Sequence, residues 1–315
     1  MSGQLWQPSA PLENLRRRAQ ILGQIREHFA RHGVLEVETP QLCAATVTDP
    51  HLASLRVSGH GFLQTSPEYA MKRLLAAGSG PIYQIARAFR GEESGRLHNR
   101  EFTLLEWYRP GWSVDQLIEE VAAIARLALG DLPVERRRYR DLFRVHLGLD
   151  PLTCPTADLR AAACAHRDLS FAEADRDTWL ELLMSEVIEP RLGTGVLTFV
   201  VDYPPSQAAL ARLDFDEQGD PVAGRFELYA SGVELANGYD ELVDAGEQRA
   251  RFAADLRQRQ ALGLAEVALD ENFLAALASG LPPSSGVALG VDRLVMLAAG
   301  ATTLAEVIAF PASRA

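Results

Sequence analysis

The chain has 315 residues, 47% hydrophobic and 23% charged, a globular composition with material for one or two packed domains, which excludes disorder, collagen and coiled coil. Its formal charge of −11 argues against a broad nucleic-acid footprint, and three cysteines (Cys43, Cys154, Cys164) without a C-x-x-C pair suggest neither a zinc site nor a disulfide framework. No leader segment and no apolar run of the ~20 residues a membrane span needs is visible, which fits a soluble protein of the reducing cytoplasm.

Residues 15–31 place Leu15, Ala19, Leu22, Ile25 and Phe29 at three-to-four spacing, which predicts an amphipathic helix ended by Gly33. A short strand follows at 34–38, closed by Pro40. Ser66-Pro67 reads as a helix start, with Ser at the N-cap and Pro in the first turn, opening a helix over 69–77. This helix carries Lys72, the one lysine among 31 basic residues. A strand at 82–90, a polar loop at 91–99 and a strand at 101–108 come next. The stretch 113–192 is helix-rich, with helices predicted at 113–129, 156–165 and 176–189, and the arginines of 136–140 read as a solvated helix face. Strands resume at 196–201, 226–230 and 233–236, the last two joined by Ser231-Gly232, a two-residue hairpin signal. Helices at 247–261 and 271–279 precede the segment 286–290, which opens a helix at 291–299. Segregated helices and predominantly antiparallel strands predict an α+β fold.

Alternation along 101–108 puts Phe102, Leu104, Glu106 and Tyr108 on one face of the strand. An acid at the centre of a core strand is costly to bury without a cationic partner, and a positively charged ligand would supply one. Pairing across the two-residue turn sets Tyr229 opposite Glu234 and Glu227 opposite Ala236, so Glu227 and Glu234 lie diagonally on one face. Two carboxylates so placed repel unless a cation sits between them, and oxygen ligands suit Mg²⁺ shared with phosphate. An exposed sheet face fits the same pattern. Arg90 and Glu92 flank the turn into the polar loop, and Gly286 to Gly290 let backbone approach a ligand, with Arg293 one turn into the following helix. No G-x-x-x-x-G-K-[ST] loop occurs, so a nucleotide would be held some other way.

In order along the chain, these segments resemble the three signature motifs of class II aminoacyl-tRNA synthetases, most closely the catalytic domain of lysyl-tRNA synthetases. Gly33-Val34-Leu35-Glu36-Val37-Glu38-Thr39-Pro40 resembles motif 1, which in that family forms a dimer interface. Phe89-Arg90-Gly91-Glu92, the loop through His98-Asn99 and Glu101-Phe102-Thr103 resemble motif 2, and Gly286 through Arg293 resembles motif 3. The resemblance implies one domain over 1–315, an antiparallel sheet flanked by helices, with a helix-rich insertion at about 113–192. It further implies ATP bound by Arg90, Glu92, His98, Asn99, Phe102, Glu234, Leu235, Gly290 and Arg293, and Mg²⁺ held by Glu227 and Glu234. In it Arg90 meets the α-phosphate, Arg293 covers the adenine and reaches the γ-phosphate, and Phe102 stacks on the other adenine face. The amino acid's far ammonium would face Glu241 and Tyr108, with Glu106 and Asn237 nearby, while Ser66 and Glu68 sit near its reacting end.

The predicted motif 1 helix begins near residue 14, so the chain resembles a truncated form without the anticodon-binding barrel, which needs at least ~50 residues. That form, with Leu105-Glu106-Trp107-Tyr108-Arg109-Pro110 and Ala288 in motif 3, is similar to the elongation factor P lysine ligases. This implies a cytoplasmic homodimer that activates (R)-β-lysine or lysine and passes it to elongation factor P. Departures at Gly91 and Arg100, where relatives commonly have Asn and Pro, fall in or beside the motif 2 loop. An adenylating enzyme acting on tRNA or another small acceptor, and a non-catalytic amino-acid sensor, are the competing readings. The acidic balance weighs against the first, and the complete set of Arg90, Glu92, Glu227, Glu234 and Arg293 weighs against the second.

Overall fold

The structure, a computed structural model, describes residues 6–91, 95–166 and 174–315. In chain order its elements begin with α1 (Leu12–Arg31), β1 (Leu35–Glu36), β2 (Leu42–Cys43), β3 (Arg56–Val57), β4 (Gly61–Leu63), α2 (Glu68–Ala76), β5 (Ile82–Phe89) and β6 (Glu101–Pro110). Next come α3 (Val114–Leu129), β7 (Val134–Arg138), α4 (Tyr139–Leu147), α5 (Thr156–His166), α6 (Arg176–Leu183), β8 (Leu197–Tyr203), β9 (Leu213–Phe215), β10 (Pro221–Ala230) and β11 (Val233–Asp240). The last are α7 (Ala245–Ala261), α8 (Glu271–Gly280), β12 (Ser284–Gly290) and α9 (Val291–Ala298). The fold is α+β, as the sequence predicts, but its strand pairing is mixed: β1 runs parallel to β5 and β7 parallel to β8, while β5–β6, β6–β12, β10–β11 and β8–β10 are antiparallel.

The chain forms two compact units. One comprises Met1–Ser113, Ala123–Gly130 and Leu242–Ala315, the other Val114–Ala122 and Asp131–Glu241. In the first, β1, β5, β6 and β12 lie side by side. Of the stripe predicted for α1, Ile25 and Phe29 are buried, Leu15 and Leu22 are half-buried and Ala19 is exposed, while Ile21, outside that stripe, is buried; Phe29 stacks on Tyr83 of β5 at 4.3 Å and meets Trp107 of β6 edge-on at 5.6 Å. Helix α2 lies against α8, with Tyr69 stacked on Phe273 at 4.4 Å.

In the second unit the strand order is β11, β10, β8, β7, with β9 also on β10. Its core gathers Tyr139, Phe143, Trp179, Leu183, Val200 and Tyr203. The arginines expected on a helix face stand instead on β7, because Val134 to Arg138 pair with the apolar β8 and tertiary pairing overrides a weak strand propensity. Their charges are met by acids: Arg136 by Asp115 at 2.5 Å, Arg138 by Glu217 at 2.6 Å, and Arg140, at the start of α4, by Asp150 at 2.7 Å. The Ser231-Gly232 hairpin forms as predicted, with both residues left-handed, at φ 51° and 70°. Its register differs by a bulge: Tyr229 faces Glu234, but Leu228 faces Ala236, so Asn237 and not Ala236 stands opposite Glu227.

Candidate active site

In the first unit the acid of β6 is held from two sides. Glu106 is 2% exposed, and its Oε1 accepts from the Tyr108 hydroxyl and its Oε2 from the Ser66 hydroxyl, each at 2.7 Å. Ser66 itself accepts the N–H of Glu68 at 3.0 Å, so one hydroxyl both caps the start of α2 and reaches the strand. One turn on, Lys72 donates to Glu68 Oε1 at 2.7 Å, and its side chain is 1% exposed. Burial first, and then the charge of Glu68, push the Glu106 carboxyl up to about 7, against the pull of the two hydroxyls and of Lys72. The partner expected only from a ligand is thus supplied in part by the chain, in the form of two hydroxyls and a nearby buried ammonium. Ser66, Glu106 and Tyr108 also form one hydrogen-bonded string, closer together than their assignment to opposite ends of a ligand suggests.

Strand β12 lies against this string with little side chain. Gly286, Ala288 and Gly290 stand opposite Tyr108, Glu106 and Leu104, so the Ala288 methyl is the only side-chain carbon that β12 presents at these three positions.

The phosphate-gripping candidates sit further along the same strands. Arg90 bonds its backbone N–H to Arg100 O at 2.9 Å and lays its guanidinium over the Phe102 ring, 5.0 Å from the centroid. Arg293 reaches Leu97 O at 3.3 Å and His98 Nε2 at 2.8 Å; because a guanidinium only donates, that imidazole nitrogen accepts. Asn99 spends both ends of its amide on backbone, donating to Glu101 O at 2.6 Å and accepting from Ala312 N at 3.0 Å, which gives it a loop-shaping part beyond the one expected. Glu92 lies outside the described residues.

In the second unit, Glu227 is fixed by three donors. Arg225 Nη2 meets Oε1 at 2.5 Å, and the Tyr203 and Tyr229 hydroxyls meet Oε2 at 2.6 and 2.5 Å. A carboxylate has about four acceptor positions, so Oε1 keeps one lone pair. The bulge puts Asn237 on the same face as Glu227, Tyr229 and Glu234, with Leu235 buried as the extra residue. Asn237 Oδ1 is buried without a hydrogen-bond partner. An oxygen lacking a donor, beside two carboxylates, is a set that fits a hard cation such as Mg²⁺. Among the described residues no group of three or more His, Cys, Asp or Glu is arranged to hold a metal, so the remaining ligands would come from phosphate and water. Glu241 is buried just past β11, where its backbone bridges to Ala211. Sequence reasoning missed Lys72 as a member of the acidic cluster. Its i,i+4 spacing from Glu68 on a helix that starts at the candidate site was the available signal.

Among the described residues no helix is long and apolar enough to cross a membrane. Residues 6–314 match the family of class II tRNA synthetases of the D, K and N type. The chain is 52% identical to an elongation factor P–(R)-β-lysine ligase of Sodalis glossinidius and 51% identical to one of Salmonella paratyphi B. Both alignments cover 98% of this chain and 98% of the relative.

Proposed function

Because the chain belongs to the class II tRNA synthetases of the D, K and N type, and within them to the elongation factor P–(R)-β-lysine ligases, we propose that it activates (R)-β-lysine with ATP and transfers it to a lysine of elongation factor P. The substrate carboxylate attacks the α-phosphorus; a new P–O bond forms as the bond to pyrophosphate breaks, leaving an aminoacyl adenylate. The acceptor amine then attacks the acyl carbon, losing a proton as AMP departs with the former carboxylate oxygen. No side-chain nucleophile is required, so the protein's work is positioning and fixed charge. The observation that carries the reading is the buried Glu106, braced by Ser66 and Tyr108, with Gln84 of β5 on one side and on the other only the Ala288 methyl of β12, which suits a cationic amino acid.

The roles assigned to individual residues follow the family pattern. Arg90 takes the α-phosphate, Arg293 covers one adenine face and reaches the γ-phosphate, Phe102 stacks on the other face, and Glu92, His98, Asn99, Leu235 and Gly290 make further ATP contacts. Mg²⁺, when bound, would offset phosphate charge, with Glu227 and Glu234 as its holders; the lone pair left on Glu227 Oε1 supports this. Glu106, Tyr108, Asn237 and Glu241 take the far ammonium, and Ser66 and Glu68 the end near the carboxylate. A protein acceptor needs no anticodon recognition, and the setting is the cytoplasm. The test is mass spectrometry of purified elongation factor P after incubation with the protein, ATP and (R)-β-lysine. Addition of one lysyl group is expected, and an unmodified acceptor with intact ATP overturns the reading.

Three further outcomes are expected. A bound ammonium favours the ionised form of Glu106, so affinity for the amino acid should rise with pH on the acid side of about 7. Its KM should fall by up to about tenfold per pH unit below that value and level above it, and Glu106→Gln should flatten the profile. A parent profile already flat would remove Glu106 from the ammonium site. Ala288→Gly, which clears the methyl opposite Glu106, should raise activity with α-lysine relative to β-lysine by up to about 100-fold; an unchanged ratio places isomer choice elsewhere. A closed homodimer is the third, supported by β1, which stands at the end of its strand order and exposes Leu35, next to α1. Light scattering that finds only monomer at micromolar concentration contradicts it.

A further inference from the structure

Three parts of the first unit close a ring of hydrogen bonds around one buried carboxylate. Asp292, 2% exposed in the first turn of α9, accepts Arg18 Nη1 on Oδ1 at 2.6 Å and the Thr103 N–H on Oδ2 at 2.9 Å. Arg18, from α1, donates its other terminal nitrogen to Thr103 Oγ1 at 2.8 Å. The need for this ring follows from the sheet. The last residue of β12, Gly290, pairs with Leu104, so the next residue of β6, Thr103, has no further strand residue of β12 beside it. The chain turns into α9 there, and the Asp292 side chain takes the Thr103 amide that a longer strand would have taken, as a buried N–H requires. Arg18 then supplies the charge that a buried carboxylate needs, and its planar fork bonds both partners at once.

The neighbours of the ring in the chain are what give it a function. Thr103 follows Phe102, and Asp292 precedes Arg293. We propose that Arg18 and Asp292 are positioning residues that lock the start of β6 to the start of α9, and so fix the separation of Phe102 and Arg293 as the two walls of a slot for the nucleobase. This rests on the adenine-facing roles given to Phe102 and Arg293 above. Neither Arg18 nor Asp292 touches the nucleotide; each acts through the residue beside its partner. Stacking falls off steeply when the walls part by a fraction of an ångström, whereas amino-acid binding at Glu106 lies further along β6 and is not held by the ring.

The test uses Arg18→Met, which keeps the aliphatic stem and removes both donors, and Asp292→Asn, whose amide cannot accept at both ends. Pyrophosphate exchange is measured with ATP and with CTP, whose smaller base stacks weakly. In each variant the KM for ATP should rise about tenfold or more, the KM for the amino acid should stay within about twofold, and the preference for ATP over CTP should fall. A general loss of structure would lower both nucleotides alike. If Asp292→Asn does not fold, Arg18→Met, at a partly exposed residue, carries the same readout. A parent that exchanges pyrophosphate, with variants whose ATP-to-CTP preference is unchanged, overturns the clamp alone. A parent without ATP-dependent exchange overturns the adenylation reading and the slot with it.

Discussion

Arg90→Ala and Arg293→Ala should each lower ATP–pyrophosphate exchange by about two to three powers of ten, corresponding to about 2.7 to 4 kcal/mol of lost transition-state stabilisation. Charge builds on the phosphoryl oxygens as the carboxylate approaches and pyrophosphate leaves, and only cations already in place stabilise it without reorganising. Both arginines are held in that way. The main chain of Arg90 is tied to Arg100 O and its guanidinium lies on Phe102, while Arg293 is anchored to Leu97 O and His98. Lysine at either position should recover little, since a point charge cannot reproduce a planar fork. Exchange within about threefold of the parent in either alanine variant would show that the residue does not meet the phosphates.

The second large effect concerns stability. Lys72→Met should destabilise the fold by about 3 to 5 kcal/mol at pH 8, because it removes one member of a buried pair and leaves the other's charge uncompensated. Methionine fills the space of the stem, so the loss is electrostatic and not a cavity. The charge of Glu68 then acts on Glu106 with no ammonium to offset it, and Glu106, already pushed up to about 7, rises further. The sign with pH follows from linkage. A carboxyl raised in the folded state keeps a proton that the unfolded chain releases, so its stabilising contribution is full below about 4.5 and lost as pH climbs through the folded value near 7. In the variant, ionising Glu106 costs more. Urea denaturation should therefore find the deficit larger at pH 8 than at pH 5, and a deficit independent of pH would mean that Lys72 does not act on the acidic cluster.

Much of the frame was legible because local rules decide it. The helix α1, the alternation of β6 and the two-residue turn at Ser231-Gly232 each depend on residues close in sequence, and each formed. Features set by distant pairing were not legible. The arginines of β7 became strand because Leu197 to Val201 offered a partner, which their own composition does not announce. A single extra residue at Leu235 moved Asn237 onto the acidic face, and strict alternation has no term for a bulge. The ring of Arg18, Thr103 and Asp292 spans 274 positions in sequence, and no spacing rule reaches that far. The candidate site divides in the same way: its motif residues could be read in order along the chain, while Lys72 emerged only once α2 lay beside β6.

The burial of Lys72 bears on how such an enzyme coexists with its own product. An acyl adenylate acylates any deprotonated amine it meets, while guanidinium stays protonated and reacts poorly. Lys72 is the one lysine in the sequence, and only 1% of it is exposed. Every other basic side chain of the Lys and Arg type is an arginine. An intermediate that escaped before transfer would therefore meet no exposed lysine amine on this chain.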